Sequence, residues 1–210
     1  MLESPTHANT ATEPTADGKP NMAIEIAGIR MKNPLTVGSG TYGHHGNFSQ
    51  FFSVEKMGAL VPKTIRNYRW PGNPAPRVHE VTGGLHTSVG IPSNDWDTFI
   101  SKDAHILKSL ELPVIQSIIG RTEDEYIEMV EKCSELGIFA GLELNLSCPN
   151  LKQGGLDFGY DPVAAERLVT RARKTSRIPI VAKLAPDYSS LATVAKAVES
   201  AGADAIALVN

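Results

Sequence analysis

The feature that most constrains this chain is a repeated grammar. A short apolar run of strand character gives way to a polar turn, then a helix-like run, a glycine and the next strand. The strand-like runs are LTVGS, ALVPKT, PVIQSII, GLELNLS, PIVAKL and AIALV. Apolar runs this short, alternating with helices, predict parallel strands joined by right-handed crossovers. The helix after Thr122 is the best defined. Thr122 and Glu125 have capping-box spacing, Tyr126, Met129, Val130 and Cys133 recur at the helical period, and Gly137 ends it. Asp161-Pro162 marks another start, an N-cap followed by proline at the first helical position. Ser189 or Ser190 is expected to cap a further helix that runs to Gly202.

Two architectures share this grammar. One is an open doubly wound sheet. The other is a (β/α)8 TIM barrel truncated after about six strands, since a closed barrel needs about eight. The stretch AIEIAGIRMKNP, hinged at Gly28, predicts an N-terminal β-hairpin that can plug a barrel floor. Polar residues also stand at the strand C-terminal ends: Ser39, Lys63-Thr64, Ser117, Asn145, Lys183 and Asn210. In a barrel those ends converge on one mouth, where active sites sit. Residues 1–21, rich in Thr, Ala, Pro and Glu without apolar period, are expected to form a disordered leader, and residues 22–210 the incomplete barrel.

Composition removes several classes of function. The net charge is -3 with no Lys/Arg-rich run, which argues against nucleic acid as a partner. No apolar run is long enough to span a bilayer, and the N-terminus lacks a charged-then-apolar signal, so a cytoplasmic location is expected. Two cysteines, Cys133 and Cys148, make neither a disulfide framework nor a metal pair. His44, His45, His79, His86 and His105 are not at metal-ligand spacing, and no metal site is expected.

The run GLELNLS stops at Cys148, which lies between Ser147 and Pro149 and between Asn145 and Asn150. Proline cannot continue a ladder and restricts the residue before it, so the thiol is presented on a turn at a strand end, where it can act as nucleophile or base. Cys133, on the apolar face of a helix, is assigned to the core. Lys63 and Lys183 end apolar strands and aim two cations at one mouth, one for a substrate carboxylate and one for a flavin ring or phosphate. GSGTYG (Gly38–Gly43) lets a ring approach backbone closely but is not a GxGxxG fingerprint. GGLHTSVG (Gly83–Gly90) and KQGGLDFG (Lys152–Gly159) read as flexible loops over the mouth.

With these residues in place, the chain resembles the catalytic subunit of class 1 dihydroorotate dehydrogenases, the B type most of all. The resemblance runs from about Ala23 to Asn210 and is carried by KNPLTVGSGTYG, Lys63-Thr64, PGNPAPRVHEVTGG, LELNLSCPN, VAKLAP and AGADAIALVN. It implies a TIM barrel holding FMN at its mouth and oxidation of dihydroorotate to orotate in pyrimidine synthesis. It further implies Cys148 as the base, with Lys63, Asn145 and Asn210 at the substrate. FMN would be held by Ser39, Lys63, Thr64, Asn145, Lys183 and Val209. At two substrate-binding positions where the family carries asparagines this chain has Thr87 and Ser93, and Ser117 replaces an FMN-contacting asparagine. The B-type likeness also implies a partner subunit carrying FAD and an iron–sulfur cluster that passes electrons to NAD, and it admits a homodimer. A truncated barrel of this family is expected to bind FMN poorly by itself. Two alternatives share the motifs: a dihydropyrimidine dehydrogenase-like reductase of another cyclic amide, and a non-catalytic degenerate barrel.

Overall fold

The computed structural model describes residue 18 and residues 20–44, 51–147, 158–187 and 189–209. Cys148, Asn210 and most of the Lys152–Gly159 loop therefore lie outside the described residues, as does most of the expected leader.

The chain opens with the expected hairpin, β1 (Ile24–Ile26) and β2 (Ile29–Met31), paired antiparallel around a turn at Ala27-Gly28. Ile29 and Met31 are buried, and Ile29 reaches toward the start of a central strand: a Cβ added at Gly141 would lie 2.9 Å from its Cδ1. The hairpin thus covers the strands' N-terminal end.

The first two barrel-type runs are less regular than expected. Leu35–Gly38 forms no ladder; the Leu35 carbonyl accepts from the N–H groups of Gly58 and Ala59 instead. Residues 59–65 pair with the next strand only through bridges at Leu60 with Val114 and Ile65 with Ile118. Pro62 lies between those bridges and has no N–H to give, which accounts for the interruption.

A second hairpin, β3 (Val78–Val81) and β4 (Gly84–Thr87), follows. The expected flexible loop at Gly83–Gly90 is thus corrected in its first half, where cross-strand pairing from Val78 with Thr87 to Val81 with Gly84 orders the chain. Two short helices, α1 (Trp96–Lys102) and α2 (Ala104–Lys108), lead to the regular sheet.

That sheet contains β5 (Ile115–Ile118), β6 (Gly141–Asn145), β7 (Ile180–Lys183) and β8 (Ala205–Ala207), parallel and in chain order. The crossovers are α3 (Glu123–Leu136), α4 (Pro162–Thr175) and α5 (Leu191–Ser200). Sequential parallel order with a helix between each pair is barrel winding, not the reversing order of a doubly wound sheet. Leu142, Leu144, Ile180 and Ala182 face the helices and join the main core, whereas Ile115, Glu143, Val181 and Lys183 face a cavity on the other side. Period-2 alternation is the cause.

The helix signals are mostly as expected. Thr122 Oγ1 accepts from the Glu125 N–H at 3.2 Å, Tyr126, Met129, Val130 and Cys133 are buried, and Gly137 closes α3 at φ 67°. The reciprocal arm of the capping box differs. Glu125 Oε2 accepts from the Arg121 N–H at 2.7 Å, because the Arg121 guanidinium binds the same carboxylate. Asp161 caps α4 through the N–H groups of Val163 and Ala164. Ser190 holds the N-cap position of α5 without capping; its hydroxyl donates to Asp187, whose carboxylate also takes the Ser189 N–H. No helix among the described residues is long and apolar enough to cross a membrane.

Candidate active site

The polar mouth is built from strand ends. Asn145 and Lys183 are register partners at the C-terminal ends of β6 and β7, and Ser117 sits one row below, opposite Glu143. All are buried, as is Thr64, whose hydroxyl lies 3.0 Å from that of Ser117. Lys183 Nζ donates to Ser39 Oγ at 3.1 Å, tying the GSGTYG loop to β7. Ser39, Lys183 and Val209 line a cavity of about 500 Å³ enclosed by the inner faces of the strands.

Lys63 is held from behind. Its N–H donates to the Gly43 carbonyl at 3.3 Å. Its own carbonyl accepts from Gln116 Nε2 at 3.0 Å and His44 Nε2 at 2.6 Å, and a carbonyl can only accept, so Nε2 carries the hydrogen. These side chains supply bonds that the ladder loses around Pro62. His44 Nδ1 also lies 3.4 Å from the buried Asp103 carboxylate, and its ring meets Phe99 edge-on. Burial first, then the positive charges of Arg66 and Lys183, hold the Lys63 ammonium below the ordinary lysine value. Two ammonium groups close enough to feel each other call for an anionic or electron-rich ligand between them.

A second cleft of about 370 Å³ is lined by His44, Lys63, Arg69, Trp70, Ser93 and Asn94, with Trp70 and Ser93 bridged to each other. Ser93 is buried, and among the described residues its Oγ has no hydrogen-bond partner. Thr87 is not brought there; it is exposed at the end of β4, paired with Val78. Cys148 follows Ser147, which is buried and bonded through both N–H and hydroxyl to Asn145 Oδ1. The Asn145 carbonyl accepts from the Tyr126 hydroxyl at 2.7 Å. Among the described residues no group of three His, Cys, Asp or Glu side chains could hold a metal ion.

The family model for dihydroorotate dehydrogenase matches residues 21–210. The chain belongs to the dihydroorotate dehydrogenase family. The catalytic subunit of dihydroorotate dehydrogenase B (NAD(+)) from Geotalea uraniireducens (strain Rf4) is 40% identical over 193 residues, covering 92% of this chain and 63% of that relative. The corresponding subunit from Alkaliphilus oremlandii (strain OhILAs) is 40% identical over 190 residues, covering 90% and 63%. The chain thus spans 63% of the length of these relatives. A crystal structure of DHODH in complex with ferulenol, from Eimeria tenella, superposes with TM-score 0.71 at 19% identity, over 96% of this chain and 62% of that one. That likeness establishes the barrel fold.

Within this fold, Ser39 is bonded to Lys183, Thr64 to Ser117, and Asn145 is the register partner of Lys183, while Lys63 lines the second cleft. Around them stand His44, Gln116, Arg66, Arg69, Trp70 and Tyr126, none of which the sequence reading placed at the site. Only the pair His44-His45 beside the GSGTYG loop, and an arginine three residues after Lys63, gave any signal of them.

Proposed function

We propose that this chain carries the FMN and pyrimidine site of a dihydroorotate dehydrogenase, oxidising dihydroorotate to orotate in UMP biosynthesis. The observation that carries this reading is the convergence of Lys63, Asn145, Lys183 and the Thr64–Ser117 hydroxyl pair at the C-terminal ends of parallel strands in a chain of this family.

The donors fit FMN. Lys183 and Ser39 would hold the electron-rich edge of the ring, with Thr64, Ser117, Asn145 and the Val209 backbone around it. Gly38 offers an open wall, since a Cβ there would meet nothing within 4 Å. FMN bound there supplies the acceptor for the hydride that leaves substrate C6. Lys63 pairs with the substrate carboxylate, and Asn145 and Asn210 orient the ring with Ser93 beside them; Thr87 would need the β3–β4 hairpin to move toward the cleft. Cys148, three residues beyond Asn145, takes the C5 proton as its thiolate. A thiol's ordinary pKa is about 8.5, so a rate that needs the thiolate rises with pH. The names of the relatives couple their reaction to NAD(+). A partner subunit bearing FAD and an iron–sulfur cluster is therefore proposed to carry electrons onward, with a homodimer of this chain as its platform.

Anaerobic mixing of the FMN-loaded protein with dihydroorotate tests this. Flavin absorbance should bleach, and Cys148→Ser should slow the bleaching by orders of magnitude. Flavin that dithionite bleaches but dihydroorotate leaves oxidised would sink the reading.

A further inference from the structure

Arg66 is an unusual residue to bury. It is 2% exposed, and among the described residues no carboxylate lies within ion-pair distance. Among the described residues its Nε has no acceptor. An uncompensated guanidinium costs folding free energy, so the interactions it does make are informative. Nη1 donates to the Tyr68 hydroxyl at 3.1 Å and Nη2 to the Ile91 carbonyl at 3.3 Å. The guanidinium carbon lies 5.4 Å from the Tyr68 ring centroid and 5.5 Å from that of Trp70.

Both residues converge on one bend. Trp70 Nε1 donates to the Gly90 carbonyl at 2.9 Å, one residue before the carbonyl that Arg66 holds. Gly90 has φ 75° and Ile91 φ 48°. A β-branched residue in the left-handed region is a true outlier and persists only where its surroundings impose it. Two residues later, Ser93 and Trp70 exchange backbone hydrogen bonds at 2.8 and 2.9 Å. The outcome is a Ser93 that lines the cleft with Lys63 and Arg69 and whose buried hydroxyl has no partner among the described residues.

We propose that Arg66 and Trp70 are positioning residues that clamp the Gly90–Ile91 bend, so that Ser93 is held in the lining of the cleft it shares with Lys63 and its buried hydroxyl is set to meet the polar edge of a ligand whose anionic group Lys63 binds. The ligand's being a pyrimidine rests on the function proposed above; the clamp itself does not. Neither residue touches the ligand's reacting atoms in this scheme. Arg66 acts through Ile91, and Trp70 through Gly90 and Ser93.

Two measurements on the FMN-loaded protein test the clamp. The first is ligand-free hydrogen exchange at the Ser93 amide, which should accelerate about tenfold in Arg66→Met and in Trp70→Phe, the loss of one hydrogen bond to the bend in each. Unchanged exchange in both overturns the proposal, and Trp70→Phe, which keeps the ring, decides it should Arg66→Met not fold. The second is the dissociation constant of orotate in a cycle of Arg66→Met with Ser93→Ala. Each single change should weaken binding about tenfold, and the double no more than the weaker single, because both remove one interaction. Additive losses overturn it. Arg66→Lys keeps the charge without the two-armed reach; full recovery of both readouts in that variant also overturns it, since the effect would then be charge alone. Altered exchange in a protein that neither binds orotate nor oxidises dihydroorotate leaves the clamp standing and removes the pyrimidine reading. Turnover with unaltered exchange does the reverse.

Discussion

Tyr126→Phe tests a bond that ties helix packing to the C-terminal end of β6. The Tyr126 ring is fully buried on α3, edge-on to Phe158 with centroids 5.6 Å apart, and its hydroxyl donates to the Asn145 carbonyl at 2.7 Å. Phenylalanine keeps the ring and its packing, so no cavity opens and the change is confined to the hydroxyl. What remains is a buried carbonyl stripped of this donor at the last residue of β6. Leaving such a group unsatisfied costs about 1–3 kcal/mol. For a chain of this size that is a fall in Tm of about 2–4 °C per kcal/mol, or about 4–8 °C for a loss of about 2 kcal/mol. Urea unfolding followed by far-ultraviolet circular dichroism gives the free energy directly, with an unchanged slope expected because the buried area is unchanged. Because Asn145 precedes Cys148 by three residues, the rate of flavin reduction should fall with the stability. A loss below about 0.5 kcal/mol, within the range of an ordinary surface change, would refute the claim that α3 anchors the strand end.

Three further outcomes follow from the site. Lys183→Met removes the ammonium that donates to Ser39; FMN affinity, read by quenching of flavin fluorescence, should drop about tenfold or more, the worth of a charge-assisted hydrogen bond, and an unchanged affinity would exclude Lys183 from the flavin site. Burial, Arg66 and Lys183 lower the Lys63 pKa below 10.5, so the unfolded chain binds more protons in the window between the folded and ordinary values, stability rises with pH there, and below it the charged group is a burden. Lys63→Met should accordingly raise the urea midpoint at neutral pH while weakening orotate binding, and in the parent protein that binding should fade with rising pH sooner than a free lysine would allow; a lower midpoint in the variant would contradict this. Burial pushes the Cys133 thiol far above its ordinary pKa, so iodoacetamide at neutral pH should leave Cys133 unlabelled in the folded protein, as mass spectrometry of the peptides would show; rapid labelling there would mean α3 opens.

The elements legible in the sequence were those whose signals are local. Thr122, Asp161 and Gly137 mark helix ends because an N-cap oxygen or a left-handed φ acts within one turn, and the apolar face of α3 follows from the period of 3.6 alone. The parallel order of β5 to β8, the inward parity of Glu143 and Lys183, and the collection of polar strand ends at one mouth were also within reach, because alternation fixes which side chain faces inward. Residues decided by partners distant in sequence were not legible. Pro62 announces a broken ladder, but nothing near it says that His44 and Gln116 take over the orphaned carbonyl of Lys63. The β3–β4 hairpin was hidden because all of its residues are exposed, and a strand without a buried face shows no alternation. Ser190 does not cap because its hydroxyl donates to the Asp187 carboxylate instead, a choice of partner that spacing does not reveal. Sequence by itself determined the barrel grammar and which polar residues stand at the strand ends, because period, caps and strand ends are properties of neighbours along the chain. Only the tertiary structure decided how Lys63 is supported, and which of Thr87 and Ser93 enters the cleft, because hydrogen bonds and burial among segments tens of residues apart exist only once the chain has closed on itself.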